Sequence, residues 1–512
     1  MNVRVRTAAA AVAAGALLAG CSGGDAPPAS SVGGGAGTDQ VLSIGMLYDV
    51  PDWDPAMAHV GHNLQPYQVA YDSLLLREPD GELSPMLATE WNYDDSRTVL
   101  TLELRDDVTF SDGAAFDADA VVANFEHFKG ANGRQAAQLT NYAGAVAVDA
   151  DTVEVTLTRP DPAFTYFLSQ AAGLMGSPDT LEGDDIGSVP VGSGPYVMDT
   201  AQSVAGSQYV FTAREDYWNP DLQKFGGVTL RLLADVTARA NALISGQVNA
   251  TLVEPASIAQ LEGAGLTLVE SQVDWMGLML LDRDGTMEPG LADVRVRQAV
   301  NHALDREALL ATLQLGHGVV TSQPFGEDSG AFDPELDDYY PYDPERAREL
   351  LTEAGYADGV TLTLPSMPLY ETTFAVLSQQ LGEVGITLEP VAVPSQDYVT
   401  EITSGKYTSA FYGLFQAEAW VAINQFVSTD SLYNVFDTTT PELDTLLDEV
   451  ANAADEEASD AAAVEVNRYV VENAWTAPLY RRSQIYFTDT SVTVLPQVQS
   501  AVPSIYNFSP AA

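Results

Sequence analysis

The sequence predicts an α/β protein built as two lobes, and three observations carry that prediction. Strand-like and helix-like patterns alternate from about Val41 onward. No short internal repeat points to a solenoid. The chain has 512 residues, which at roughly 150 residues per domain allows two or three domains with ample core.

The elements follow in order. Leu100, Leu102 and Leu104 beat at period two, as do Val153, Val155 and Leu157, the signature of half-buried strands. Between them Asp117 is placed to cap a helix that turns Val121, Val122, Phe125 and Phe128 inward and stops at Gly130. Val228, Leu230 and Leu232 make a further strand. Thr237 then caps a helix carrying Leu243 and Ile244, which ends at Gly246. Asp293 precedes a helix with Val296, Val300, Leu304 and Leu310 on one side, ending near Gly316. Asp343-Pro344 starts another, because proline at the first helical position gives up no hydrogen bond; Leu350, Leu351 and Ala354 form its apolar face and Gly355 ends it. A strand from Ile386 to Val393 follows.

The N-terminus argues for export. Arg4 and Arg6 precede an apolar stretch from Ala8 to Ala19 that is too short to span a bilayer, so residues 1–20 read as a signal peptide. It closes on Leu18-Ala19-Gly20-Cys21, which resembles the lipobox of bacterial lipoproteins. Cys21, the sole cysteine, is then the lipidation site, and two acyl chains would anchor the protein stably. Ser22 to Thr38 is mostly Gly, Ser, Ala and Pro, with one Asp, one Val and one Thr, a composition suited to a flexible tether. The formal charge is −50, with lysine confined to Lys129, Lys224 and Lys406. Such acidity excludes nucleic acid as a partner and fits a solvated extracytoplasmic surface.

Four ordered stretches carry a family resemblance. They are Leu83 to Trp91 with Leu102 to Gly113; Val191-Gly192-Ser193-Gly194-Pro195-Tyr196 with Arg214 and Tyr217-Trp218-Asn219; Val294 to Arg306; and Tyr342 to Tyr356. Together they are similar to the peptide/nickel-type solute-binding proteins of bacterial extracellular family 5, over roughly Val41 to Phe487. Physically the first stretch reads as scaffold, an amphipathic strand entering an Asp-Gly turn, and the glycines of the second as serving a tight turn. The resemblance implies a two-lobed, periplasmic-binding-protein-like type II clamp. Its implied parts are lobe I at 39–275 with an extra subdomain at about 86–187, lobe II at 276–484, and a return to lobe I at 485–512. Hinge crossings are placed near Val273 to Leu281 and Ile485 to Asp489.

Enzyme chemistry finds no support in the sequence. His59 and His62 have a spacing that could share a metal on a helix, yet no HExxH pattern, cysteine ligand or carboxylate motif joins them. There is no Gly-x-Ser-x-Gly elbow. Catalytic residues, metals and cofactors are therefore expected to be none.

A binding cleft needs apolar and aromatic walls with a few polar anchors. Candidates are Trp53 in an Asp-Pro loop, Trp275 at the first crossing, and Phe415, Gln416, Glu418 and Trp420 in the stretch after Gly413. Dipeptide and oligopeptide binders of the family resemble Gly-Trp-x-x-Asp here, their aspartate pairing with the peptide ammonium. Strict spacing puts Leu414 and Ala417 at those positions, with Glu418 one residue later. The expected function is that of a monomeric lipoprotein on the outer face of the cytoplasmic membrane. It would capture a peptide or peptide-like solute for an ABC permease with cytoplasmic ATPases. A non-peptide solute (metal chelate, opine or oligosaccharide) is the alternative, a secreted lipoprotein hydrolase the next, and a sensor or adhesion module the third.

Overall fold

Leu42, Ile44 and Met46 alternate inward along the strand Thr38–Met46, which lies near the middle of the largest sheet. It runs parallel to Phe225–Leu232 on one side and Ala250–Val253 on the other. The computed structural model describes residues 38–511 except Asp184 and Asp430. The signal segment, Cys21 and the tether up to residue 37 lie outside the described residues. Among those described, no helix is long and apolar enough to cross a membrane.

Two long strands, Thr267–Leu280 and Thr476–Thr488, carry this sheet from one lobe into the other. Thr267 to Gln272 pairs with Thr488 to Ser483, and that end of the second strand also pairs with Ala250–Val253. Beyond it, Asp274 to Met279 pairs with Arg482 to Thr476 and, on the other edge, with Ser409–Phe415. The register breaks between Gln272 and Asp274, opposite Ser483 and Arg482, where an irregularity adds local twist. On the first strand the break falls at the edge of the expected crossing. On the second it lies upstream of Ile485, because Ile485 to Thr488 is tied to the strand Ala250–Val253.

Cores form on both sides of this break. One joins Leu42, Ile44, Leu100, Phe125 and Val228 to Tyr486 and Phe508, so the C-terminal segment packs with the first lobe. Within it a four-stranded antiparallel sheet, whose strands lie between Ala88 and Leu157, is covered by the helix Ala118–Ala131. In the second lobe, helices Val294–His302, Pro344–Glu353 and Glu371–Glu383 pack about the parallel pair Val360–Ser366 and Ile386–Ala392. A third cluster gathers Trp275, Trp420 and Trp475 under the helices Pro441–Ala451 and Glu456–Glu472.

Several expected boundaries move. The helix capped by Asp117 runs past Gly130 to Ala131 and stops at Asn132, whose φ of 52° is a left-handed terminus that asparagine tolerates. Asp235 caps the helix Val236–Ile244 through the Ala238 amide, displacing Thr237, and Ile244 faces solvent while Leu243 is buried. The long helix after Asp293 is two, Val294–His302 and Arg306–Leu313. Asp305 caps the second through Ala308 N, and the buried Arg306 guanidinium collects the carbonyls of Asn301, Thr321, Tyr340 and Pro478. Gly192 and Gly194 do not make a left-handed turn. They are glycine because the chain at Ala70 presses on them: a Cβ on Gly192 would sit 2.3 Å from the Ala70 carbonyl oxygen. Arg214 staples this loop by donating to the Ser193 and Thr109 carbonyls, and Tyr217 and Trp218 donate to the buried carboxylate of Asp72, as does Tyr506.

Candidate functional site

The strand Ser409–Phe415 delivers the chain to the lobe boundary, where it turns into the helix Ala419–Phe426. Glu418 is the turning point. Its two carboxylate oxygens accept the Trp420 amide at 3.0 Å and the Val421 amide at 3.1 Å, closing the helix N-terminus. Burial pushes this carboxyl up to about 7; the two amides pull the other way, while Asp460 and Asp161 add to the rise. Leu414 and Ala417, the residues at the strict-spacing positions, are both buried, and Leu414 lies opposite Trp275 in the third core.

The remaining candidates divide. Trp275, 1% exposed, packs against Phe426, and Trp420, 8% exposed, belongs to the same cluster, so both support the turn at Glu418 from below. Gln416 is buried behind them against Gly326, and its side-chain nitrogen has no hydrogen-bond partner among the described residues. Phe415 pairs in register with Asp274, which is ion-paired to Arg482 at 2.7 Å. Trp53 is not brought to this group. It is 2% exposed in the first core, ringed by Tyr67, Tyr209 and Phe211. His59 and His62 also diverge: one ring meets the Val60 carbonyl and the other the Gln484 amide. Burial lowers His62 to about 4.

Glu418 and Ala419 form part of the wall of a cavity of about 550 Å³ that both lobes enclose. Lobe II supplies Asp328, Glu456 and Asp460 beside Glu418. Lobe I supplies Trp91, Tyr93 and Tyr166, with Arg77, Arg97 and Gln499 at the margins. The rim is tied across the lobes. Arg77 donates to the Val498 carbonyl and to the Gln499 side-chain oxygen at 2.6 Å, and the Gln499 nitrogen donates to the Asp328 carbonyl at 2.7 Å. Arg97 donates to the Ala453 carbonyl. The lobes therefore touch at this rim.

Most of these wall residues escape sequence reasoning, because they come from separate segments that only the fold assembles. Trp91 stood inside a stretch read as scaffold. Among the described residues, no group of three or more His, Cys, Asp or Glu side chains is arranged to hold a metal ion.

Comparison with known proteins agrees with this architecture. The model for the middle region of bacterial extracellular solute-binding proteins, family 5, matches residues 82–434. The glutathione-binding protein GsiB of Escherichia coli (strain K12) is 31% identical over 380 residues, 72% of this chain and 72% of that protein. HbpA2 from Haemophilus parasuis superposes with a TM-score of 0.82 at 20% identity, covering 92% of this chain and 100% of that one. NikA from Brucella suis, in complex with Fe(III)-EDTA, gives 0.79 at 21% identity, with 92% and 100% covered. The two structural likenesses establish the fold. The family match and GsiB make this chain a member of the bacterial extracellular solute-binding proteins of family 5, the solute-capturing components of ABC importers.

Proposed function

We propose that the protein is the lipid-anchored receptor of its importer, holding a peptide or peptide-like solute between its lobes and presenting the closed form to a membrane permease. The observation that carries this is the cavity of about 550 Å³ walled by both lobes, within the range of small-molecule sites, roughly 300–1,000 Å³. A solute bridging two walls favours the closed arrangement by its differential affinity, which is the physical basis of hinge closure. The register break at Gln272–Asp274 and Arg482–Ser483 is the natural place for the bend. The division of the cores supports lobe I at 39–275 with a subdomain near 86–187, lobe II at 276–484 and a return at 485–512. The Leu18 to Cys21 sequence supports anchoring at the outer face of the cytoplasmic membrane.

The proteins it resembles are named for glutathione or crystallised with Fe(III)-EDTA, so the solute class is argued from the cavity. An elongated, partly polar solute fits its mixed lining of aromatic rings and carboxylates. The test is calorimetric titration of the full-length protein with short peptides, nickel-histidine and an oligosaccharide, with small-angle scattering of each mixture. Saturable one-to-one binding of a peptide with a smaller radius of gyration is expected. Compaction by the nickel complex or the sugar, and not by any peptide, would overturn the peptide assignment.

A further inference from the structure

We propose that the solute captured between the lobes carries net positive charge, its cationic group an ammonium or guanidinium seated between the carboxylates of lobe II and the aromatic wall of lobe I. This rests on the capture reading above and specifies its substrate class.

The cavity is lined by Asp80, Glu82, Asp328, Glu418, Glu456 and Asp460 against only Arg77 and Arg97. None of these eight groups belongs to an ion pair among the described residues, whose pairs all lie elsewhere. Both guanidiniums already donate to main-chain carbonyls, Arg77 to Val498 and Arg97 to Ala453. The two are outnumbered by the acids around them: Asp328, Glu456 and Asp460 of lobe II have no ion-pair partner among the described residues, while both Glu418 oxygens cap the helix at Trp420 and Val421.

A second observation points the same way from the opposite wall. Tyr166 is 8% exposed, lines the same cavity, and its hydroxyl has no hydrogen-bond partner among the described residues. That hydroxyl stays open to solvent at the cavity wall, so a ligand group can bond to it directly in place of water. Its ring already receives the Arg77 guanidinium at 5.2 Å from the centroid, which shows that this wall accepts a cation. Trp91 and Tyr93 extend the aromatic surface. Carboxylates facing aromatic rings make a cation site, because ion pairing and the ring quadrupole both favour positive charge there. Burial raises the carboxyls of Glu418, Asp460 and Asp328, so each is relieved by a cation arriving beside it. A zwitterionic solute would bring a carboxylate into the same negative field and lose part of that gain.

The experiment titrates the full-length protein near neutral pH with four probes: Ala-Lys-Ala, Ala-Ala-Ala, Ala-Glu-Ala and spermidine. Ala-Lys-Ala is expected to bind about fivefold more tightly than Ala-Ala-Ala, the change that one partly screened charge contact brings, with Ala-Glu-Ala weakest. In Asp460→Asn, and separately in Glu456→Gln, that preference should shrink while the far-ultraviolet circular dichroism is retained. Equal affinity for the three peptides, or a preference unchanged in both variants, overturns the cation inference and leaves capture of peptides standing. Binding of spermidine alone supports the cation inference and overturns the peptide reading. Binding of none of the four overturns both.

Discussion

Replacing Glu418 by glutamine isolates the cost of keeping a carboxylate at the lobe boundary. Burial raises this carboxyl from 4.5 to about 7, a shift that corresponds to roughly 3 kcal/mol. The folded pKa lies above the unfolded one, so the folded protein holds the proton more tightly. Stability from this group is therefore intact below about pH 4.5 and lost as pH rises toward about 7. Glutamine cannot ionise and escapes that loss, but its single carbonyl oxygen caps only one of the Trp420 and Val421 amides, a forfeit of about 1 kcal/mol at any pH. The variant should be slightly less stable than the parent near pH 4.5 and more stable by roughly 2 kcal/mol at about pH 8. Asp161, Asp460 and Tyr166 face Glu418 and are common to both proteins, so their own titration largely cancels in the difference. Urea unfolding followed by tryptophan fluorescence, at several pH values across the window, measures it. A stability difference that is flat with pH, or that falls as pH rises, would refute the reasoning.

Three further outcomes follow from single contacts. Asp337→Ala strips Arg481, which is 0% exposed, of the carboxylate it grips at 2.7 and 2.8 Å. A loss of about 3–5 kcal/mol in urea unfolding is expected, and an Arg481→Met, Asp337→Leu double variant should recover much of it. Gly192→Ala forces a methyl onto the Ala70 carbonyl oxygen and the buried Tyr71 ring, neither of which has room to yield, so a loss of about 1–3 kcal/mol is expected in thermal melts and soluble yield. Cys21→Ser should move the exported protein from the detergent phase to the aqueous phase in phase-partition assays, whereas retention in the detergent phase would argue for another anchor.

The strands and most helix starts were legible because their causes are local, though the caps at Asp235 and Asp305 were not. Leu100, Leu102 and Leu104 alternate, and Asp117, Asp293 and Asp343 each accept an amide at the head of a helix, as their positions in the sequence suggest. Helix ends were less legible. Asn132 and Asp305 act through backbone conformations and competing caps that composition does not reveal, and the break before Arg306 depends on carbonyls from distant segments. The site was legible only at Glu418, the one candidate that lines the cavity. Trp53 and Trp275 could not be told from core residues, since a buried aromatic looks the same in sequence whether it faces a solute or a neighbour. Tyr166, Asp328, Asp460 and Gln499 carried no motif and became neighbours only through folding.

The acidity of the chain gains a second meaning from this geometry. A formal charge of −50 spread over a solvated surface is a solubility device, and at physiological salt each charge is screened beyond about 8 Å. Carboxylates facing a cavity between two lobes are screened far less, because low-dielectric walls replace water and ions on several sides. The same composition therefore produces two fields that salt separates. The outer field draws cations toward the molecule and fades as ionic strength rises. The inner field, set chiefly at the half-buried Asp460 and Glu418, is expected to fade less. Selectivity for a cationic solute that survives in high salt would have its source in the cavity, and selectivity that disappears would have its source in the surface.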